Sequence, residues 1–85
     1  MSQNLGKYEI DNNRIVSKRT HEPIPDDEPV FILRARDRLA IQCLSTYISF
    51  CLNDNHRQGA IARALEFNDW KHYHPDLIVE PGEDT

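Results

Sequence analysis

Residues 37–75 read DRLAIQCLSTYISFCLNDNHRQGAIARALEFNDWKHYHP, and this stretch decides the fold because its apolar side chains recur at helical spacing. Asp37 suits the position before a helix, since its carboxylate can accept the free amides of a first turn. We therefore predict a first helix from about residue 38 to 52, where the turn-forming residues 53–55 interrupt it. A second helix follows over about residues 56–72, because the closing proline prevents it from continuing.

The first predicted helix is apolar over an unusually wide arc. A surface helix of a monomer usually shows an apolar stripe of roughly 100°. The stripe here consists of Ala40, Cys43, Leu44, Tyr47 and Cys51, widened by Ile41, Ile48 and Leu52. Either this helix is the central one of the domain, or it also faces a second subunit of a homo-oligomer. Aromatic side chains often anchor interfaces, so we name Tyr47, Phe50 and Trp70 as candidate interface residues.

Two stretches upstream of the helices predict β structure. Tyr8 and Ile10 alternate with polar residues, residues 11–13 offer turn chemistry, and apolar residues return at 15–16, which together predict a tight hairpin. Residues 30–35 read VFILRA, and their apolar, β-branched and aromatic content predicts a strand. The fold class we predict is α+β, a small antiparallel sheet (the hairpin plus this strand) packed against two antiparallel helices.

Length and charge narrow the range of functions. A chain of 85 residues allows a single domain with a small core, and we expect its last residues, about 80–85, to be loose. The composition, 39% hydrophobic and 28% charged, is typical of a globular protein. The formal net charge of −4 disfavours direct nucleic-acid binding, which needs a positive surface.

The sequence also bears on the cellular compartment. The first ten residues lack the apolar run of a secretory signal, and no run reaches the roughly 18 apolar residues of a membrane span. Cys43 and Cys51 are eight residues apart on one predicted helix, which separates their Cα atoms by about 12 Å, whereas a disulfide needs less than about 7 Å. We expect both thiols to be reduced and buried, in the cytoplasm.

Three arginines surround the start of the first predicted helix. Arginine and a helix N-terminus both favour anions, so Arg34, Arg36 and Arg38 form a candidate anion-binding site. On a strand, Arg34 and Arg36 would lie on the same face. The alternative is that they pair with the acidic residues 26–28, while Asp37 only caps the helix.

The remaining reactive side chains do not form a recognisable catalytic or metal motif. His72 and His74, with Asp69 or Asp76 nearby, could hold zinc, but the cysteines lack the short-spaced partner of a structural zinc site. Histidines at a helix end also interact with the helix dipole. Both cysteines lie within an apolar helix, where a thiol is unreactive. We expect no enzyme activity, no metal and no cofactor.

The segment around the predicted strand carries a recognisable pattern. The chain reads DEPVFILRARD at 27–37 and LA at 39–40, with Trp70 and HP at 74–75 further on. Over residues 25–75 it resembles a group of small uncharacterised bacteriophage and prophage proteins. The resemblance implies a phage accessory protein in the cytoplasm of a bacterial host, where it would serve host takeover or block a defence.

Two functions remain open. The arginines favour capture of a small anionic ligand, such as a nucleotide signal. The acidic residues 26–28 and the acidic tail favour the alternative, inhibition of a host enzyme or defence complex through an acidic protein surface. A homo-oligomer is expected in either case.

Overall fold

The computed structural model describes residues 5–83, and the chain divides into two compact units, Met1–Phe31 and Ile32–Thr85. A two-stranded antiparallel sheet lies in the first unit and two helices lie in the second. The predicted α+β class is therefore confirmed. The single domain expected from the length stays a prediction.

The first unit contains the predicted hairpin. Strand β1 covers Tyr8–Asp11 and strand β2 covers Arg14–Ser17, in antiparallel register. Asn12 and Asn13 form the two-residue loop with φ of 55° and 62°. Asparagine tolerates this left-handed conformation better than most residues, and a two-residue loop with positive φ matches the twist of a hairpin. The hairpin prediction is confirmed.

The connector after β2 folds back along that strand. The amide of Ser17 donates to the Glu22 carbonyl at 3.0 Å, and the amide of Ile24 donates to the Ile15 carbonyl at 2.9 Å. Val16, between these two contacts, is the buried apolar side chain of the described part of this unit. The connector therefore occupies backbone groups along β2 that a further strand would need.

The strand predicted over residues 30–35 does not form. Among the described residues, the strands are β1 and β2, and Val30, Phe31 and Ile32 have no regular secondary structure. Their exposed fractions are 52%, 86% and 72%. A strand is stabilised by a neighbouring backbone and by packing more than by intrinsic preference. With residues 22–24 lying along β2, residues 30–33 have β-forming composition, and no described residue pairs with them as a strand.

The second unit contains helices α1, Ala40–Phe50, and α2, Asp54–Tyr73, which pack against each other. Helix α1 is shorter than the predicted 38–52, because residues 38–39 form a turn and Cys51 is already extended. Helix α2 begins two residues before the predicted 56. Asn53 lies in the break after α1, as expected, and its side chain accepts a hydrogen bond from the His56 amide at 2.9 Å, so it also caps α2.

The chain after α2 returns to the start of α1. A short 3₁₀ turn covers Pro75–Leu77, and Val79 then forms an isolated parallel bridge with Asp37. Ala40, at the first position of α1, is fully buried. Glu80, expected in a loose tail, is held by an ion pair to Arg38, whereas residues 84–85 of that tail lie outside the described residues. No helix within residues 5–83 combines the length and apolarity needed to cross a membrane.

Candidate functional site

Residues 36–38 of the arginine segment are held by a backbone bridge. The Arg38 amide donates to the Val79 carbonyl at 2.9 Å, and the Val79 amide donates to the Arg36 carbonyl at 2.9 Å. These two bonds fix the backbone on both sides of Asp37, which is 9% exposed. The bridge therefore lies directly before α1, which begins at Ala40.

Asp37 organises the turn before α1. Its Oδ1 accepts a hydrogen bond from the Leu39 amide at 2.8 Å, and its backbone carbonyl accepts one from the Ala40 amide at 3.0 Å. The predicted N-cap is thus displaced by two positions, because Leu39 is the residue adjoining the helix. The carboxylate lies at the place where a bound anion would approach the helix start, and its negative charge opposes such binding.

Arg38 is paired with a carboxylate far away in sequence. Its Nε donates to Glu80 Oε1 at 2.7 Å, and both side chains are about half exposed. This hydrogen bond and the charge of Glu80 raise the pKa of Arg38 above its usual value. The Arg38 guanidinium therefore already has an anionic partner within its own chain.

The other two arginines do not form the predicted strand face. No strand covers residues 34–36 in the described structure, and Ala35 and Arg36 lie in a turn that leads to Asp37. Arg34 is exposed and Arg36 is half-buried. The nearby acidic run contributes an ion pair elsewhere, since Asp26 accepts from Arg14 at 2.8 Å.

Helix α1 presents an exposed apolar face. Cys43, Tyr47 and Phe50 follow the spacing i, i+4, i+7, which places them within an arc of roughly 60° at 100° per residue. Tyr47 is 53% exposed, Phe50 is 80% exposed, and Cys43 is also exposed, so the expectation of a buried Cys43 is wrong. We call these three residues the uncharged face. The other apolar residues of α1, Ala40, Ile41, Leu44 and Ile48, are buried or half-buried.

The stretch of sequence that carries this face has no charged residue. Residues 39–53 include no Asp, Glu, Lys, Arg or His, although fifteen residues at the chain average of 28% charged would contain about four. Leu52, just beyond the end of α1, is 98% exposed. Depletion of charged residues distinguishes the centre of protein–protein interfaces from ordinary surface. The absence of charge over residues 39–53 is therefore a sequence signal for an interaction surface, and it is missed when only periodicity and motifs are considered.

Two aromatic side chains named as interface residues have partners within the chain. The Tyr47 hydroxyl lies 2.6 Å from His56 Nε2, which fixes its ring against the start of α2 while leaving it about half exposed. Trp70 is half-buried and stacks on His74, with ring centroids 4.4 Å apart. Tyr47 therefore remains available for contact, whereas Trp70 contributes mainly to the end of α2.

The cysteines and histidines of the described residues form neither a disulfide nor a cluster that could hold a metal ion. Both cysteines are free, with Cys51 half-buried at the end of α1. Within residues 5–83, no three His, Cys, Asp or Glu side chains form a group that could hold a metal ion. His56 contacts Tyr47, and His74 contacts Trp70.

A surface pocket of about 200 Å³ with a charged lining lies in the first unit, bordered by the Arg14–Asp26 ion pair, Ile24 and Val30. Small-molecule sites usually enclose about 300–1,000 Å³. The pocket is smaller than such sites, and its arginine is already paired with a carboxylate, so the fit to an anionic ligand is poor.

Comparison with known proteins identifies no relative, since no protein-family model, no curated protein and no solved structure matches the chain.

Proposed function

We propose that this chain is a non-enzymatic binding protein that acts by contact with another protein, and that the uncharged face of α1 is its contact surface. The observation that carries the proposal is the exposure of Tyr47 and Phe50 on a helix without a single charged residue. Apolar side chains of this size are stabilised by removal from water, and each contributes about 1.5–3 kcal/mol when it is fully buried.

The geometry of the face indicates how a partner would bind it. Side chains at i, i+4 and i+7 form the ridge with which a helix enters an apolar groove. Tyr47 is held in place by His56, so little side-chain entropy is lost when it is covered. The partner should therefore offer an apolar recess rather than a charged surface. The resemblance to phage proteins points to a host enzyme or defence complex as the class of partner.

A charge placed on the uncharged face tests this proposal. We expect Phe50→Asp to weaken partner binding about 30-fold, because a buried aromatic anchor contributes about 2 kcal/mol and a carboxylate would be desolvated in its place. The measurement is quantitative capture of proteins from an extract of the source cell. Leu65→Asp is the matched control, since Leu65 is an exposed apolar residue on α2. Equal loss of capture in both variants would contradict the assignment to α1.

The thiol of Cys43 provides an independent footprint of the same face. In a Cys51→Ser background, Cys43 is the remaining thiol and it is exposed. Its alkylation by iodoacetamide should slow when the partner binds, because the partner covers the neighbouring Tyr47 and Phe50. An unchanged alkylation rate in the captured complex would place the contact elsewhere on the protein.

Capture of a small anion is the second candidate function, favoured by the presence of three arginines within residues 34–38. It requires Arg38 to exchange Glu80 for the ligand and requires the ligand to approach the carboxylate of Asp37. If this function is correct, native mass spectrometry of the protein purified from its source cell should show a bound mass of nucleotide size. The bound mass should disappear in a double variant with Arg34→Ala and Arg36→Ala that keeps its far-ultraviolet circular dichroism. A bare protein mass would exclude a tightly retained ligand.

A further inference from the structure

Residues 26–36, the last of the first unit and the first of the second, have a charge pattern that complements itself. It begins with acidic residues, continues with apolar residues and ends with two arginines, in the order Asp26, Asp27, Glu28, Pro29, Val30, Phe31, Ile32, Leu33, Arg34, Ala35 and Arg36. The two ends therefore carry opposite charges, with Phe31 at the midpoint. Such a pattern can pair with a second copy of itself when the two copies run in opposite directions.

The centre of this segment is a strand sequence without a strand partner. The backbone groups of Val30, Phe31, Ile32 and Leu33 make no hydrogen bond to any described residue. Three of these four side chains are exposed, although β-branched and aromatic residues favour a pleated sheet. Free peptide groups beside apolar side chains are the features with which one strand binds another.

We propose that residues 28–34 of two copies pair as antiparallel strands across a two-fold axis at Phe31, forming a homodimer. The axis places Val30 of one copy opposite Ile32 of the other. It also places Glu28 opposite Arg34, and this pair occurs twice because of the symmetry. Directly opposite residues of opposite charge stabilise an antiparallel pair, and like charges destabilise it.

The charges disfavour a parallel pair and a shift of one residue. A parallel pair would place Glu28 beside Glu28, and Arg34 beside Arg34. A shift of one residue in either direction would separate Glu28 from Arg34 and place it opposite an apolar or small side chain.

Pro29 fits the same register. Proline has no amide hydrogen, so it is tolerated only where the amide would not bond to the neighbouring strand. In an antiparallel pair, hydrogen-bonded and non-hydrogen-bonded positions alternate. With Phe31 opposite Phe31 at a non-hydrogen-bonded position, Pro29 opposite Leu33 falls at another such position. Val30 and Ile32 then exchange the ladder hydrogen bonds.

The strand that pairs with residues 28–34 is a second copy of the same segment rather than a strand from another protein. One segment carries both the acidic residue and the arginine that the pairing requires. A two-fold interface needs a surface that complements itself, and the 28–34 segment meets this condition. The dimer is independent of the uncharged face of α1 and goes beyond the proposed function. It would display two such faces on one particle, which raises the avidity for a partner that is itself repeated.

Charge reversal provides the test, with sedimentation velocity as the measurement of dimerisation. Glu28→Arg alone and Arg34→Glu alone each place like charges opposite one another, and we expect about a tenfold weaker dimer for each. An equal mixture of the two variants restores opposite charges at both pairs, so it should form heterodimers as well as the parent protein forms homodimers. Controls of matched charge are Glu83→Arg and Arg19→Glu, which lie outside the segment and should dimerise like the parent.

Two results would overturn the proposal. One is a parent protein that stays monomeric up to millimolar concentration, and the other is a dimer that neither Glu28→Arg nor Arg34→Glu weakens. Hydrogen exchange gives a readout without substitution, because the amides of Val30 and Ile32 should be protected in the dimer and unprotected on dilution. Phe50→Asp should leave dimerisation unchanged, so failure of this inference is distinguishable from failure of the proposed function.

Discussion

Ala40→Asp is expected to unfold the helical unit. Ala40 is 0% exposed at the first position of α1, so any larger side chain must displace its surroundings. An unpaired carboxylate buried there costs about 3 kcal/mol or more. The favourable interaction of an acidic residue with a helix N-terminus is at most about 1 kcal/mol on the surface and does not offset this cost. A chain of this size has a total stability of only about 4–13 kcal/mol, so the helical circular dichroism signal should fall strongly.

The same substitution at an exposed alanine provides the control for Ala40→Asp. Ala62 lies within α2 and is exposed, so Ala62→Asp should cost only the difference in helix propensity, about 0.7 kcal/mol. Urea unfolding monitored at 222 nm measures both variants. Equal destabilisation by the two substitutions would show that Ala40 is not enclosed in solution.

Sequence reasoning succeeds in this protein where the structure depends on neighbouring residues. The hairpin follows from the local chemistry of Asn12 and Asn13, which adopt the positive φ that a two-residue loop requires. The existence of both helices follows from apolar periodicity. Helix α2 begins two residues earlier than predicted, because Asn53 caps it through the hydrogen bond that it accepts from the His56 amide.

The same reasoning fails where burial and long-range contacts decide. Periodicity placed Cys43 and Tyr47 on the buried stripe of α1, but α1 is apolar around about half of its circumference and only part of that arc is covered. Residues 30–35 have the composition of a strand, but no strand of the described structure covers them. The ion pair of Arg38 joins residues 42 positions apart, and no local pattern indicates Glu80.

Asp37→Ala is the second prediction with a large expected effect. The substitution removes the acceptor of the Leu39 amide within a nearly buried turn, where an unsatisfied donor costs about 1–3 kcal/mol. We expect a loss of about 1–2 kcal/mol in the free energy of unfolding, measured by urea titration. Asp37→Asn keeps an acceptor oxygen at the same place and should retain most of the stability. A large loss in Asp37→Asn as well would show that the charge, and not the hydrogen bond, holds the turn.

The asparagine variant also separates the two candidate functions. If the arginines at 34–38 bind an anion, removal of the Asp37 charge from their midst should strengthen binding of a nucleotide, measured by calorimetry. If the uncharged face of α1 binds a protein, Asp37→Asn should leave capture of the partner unchanged, because the carboxylate is nearly buried and belongs to the turn. The role of Asp37 would then be limited to accepting the hydrogen bond from the Leu39 amide. The three arginines would be surface residues near the start of α1 and would not form a binding site.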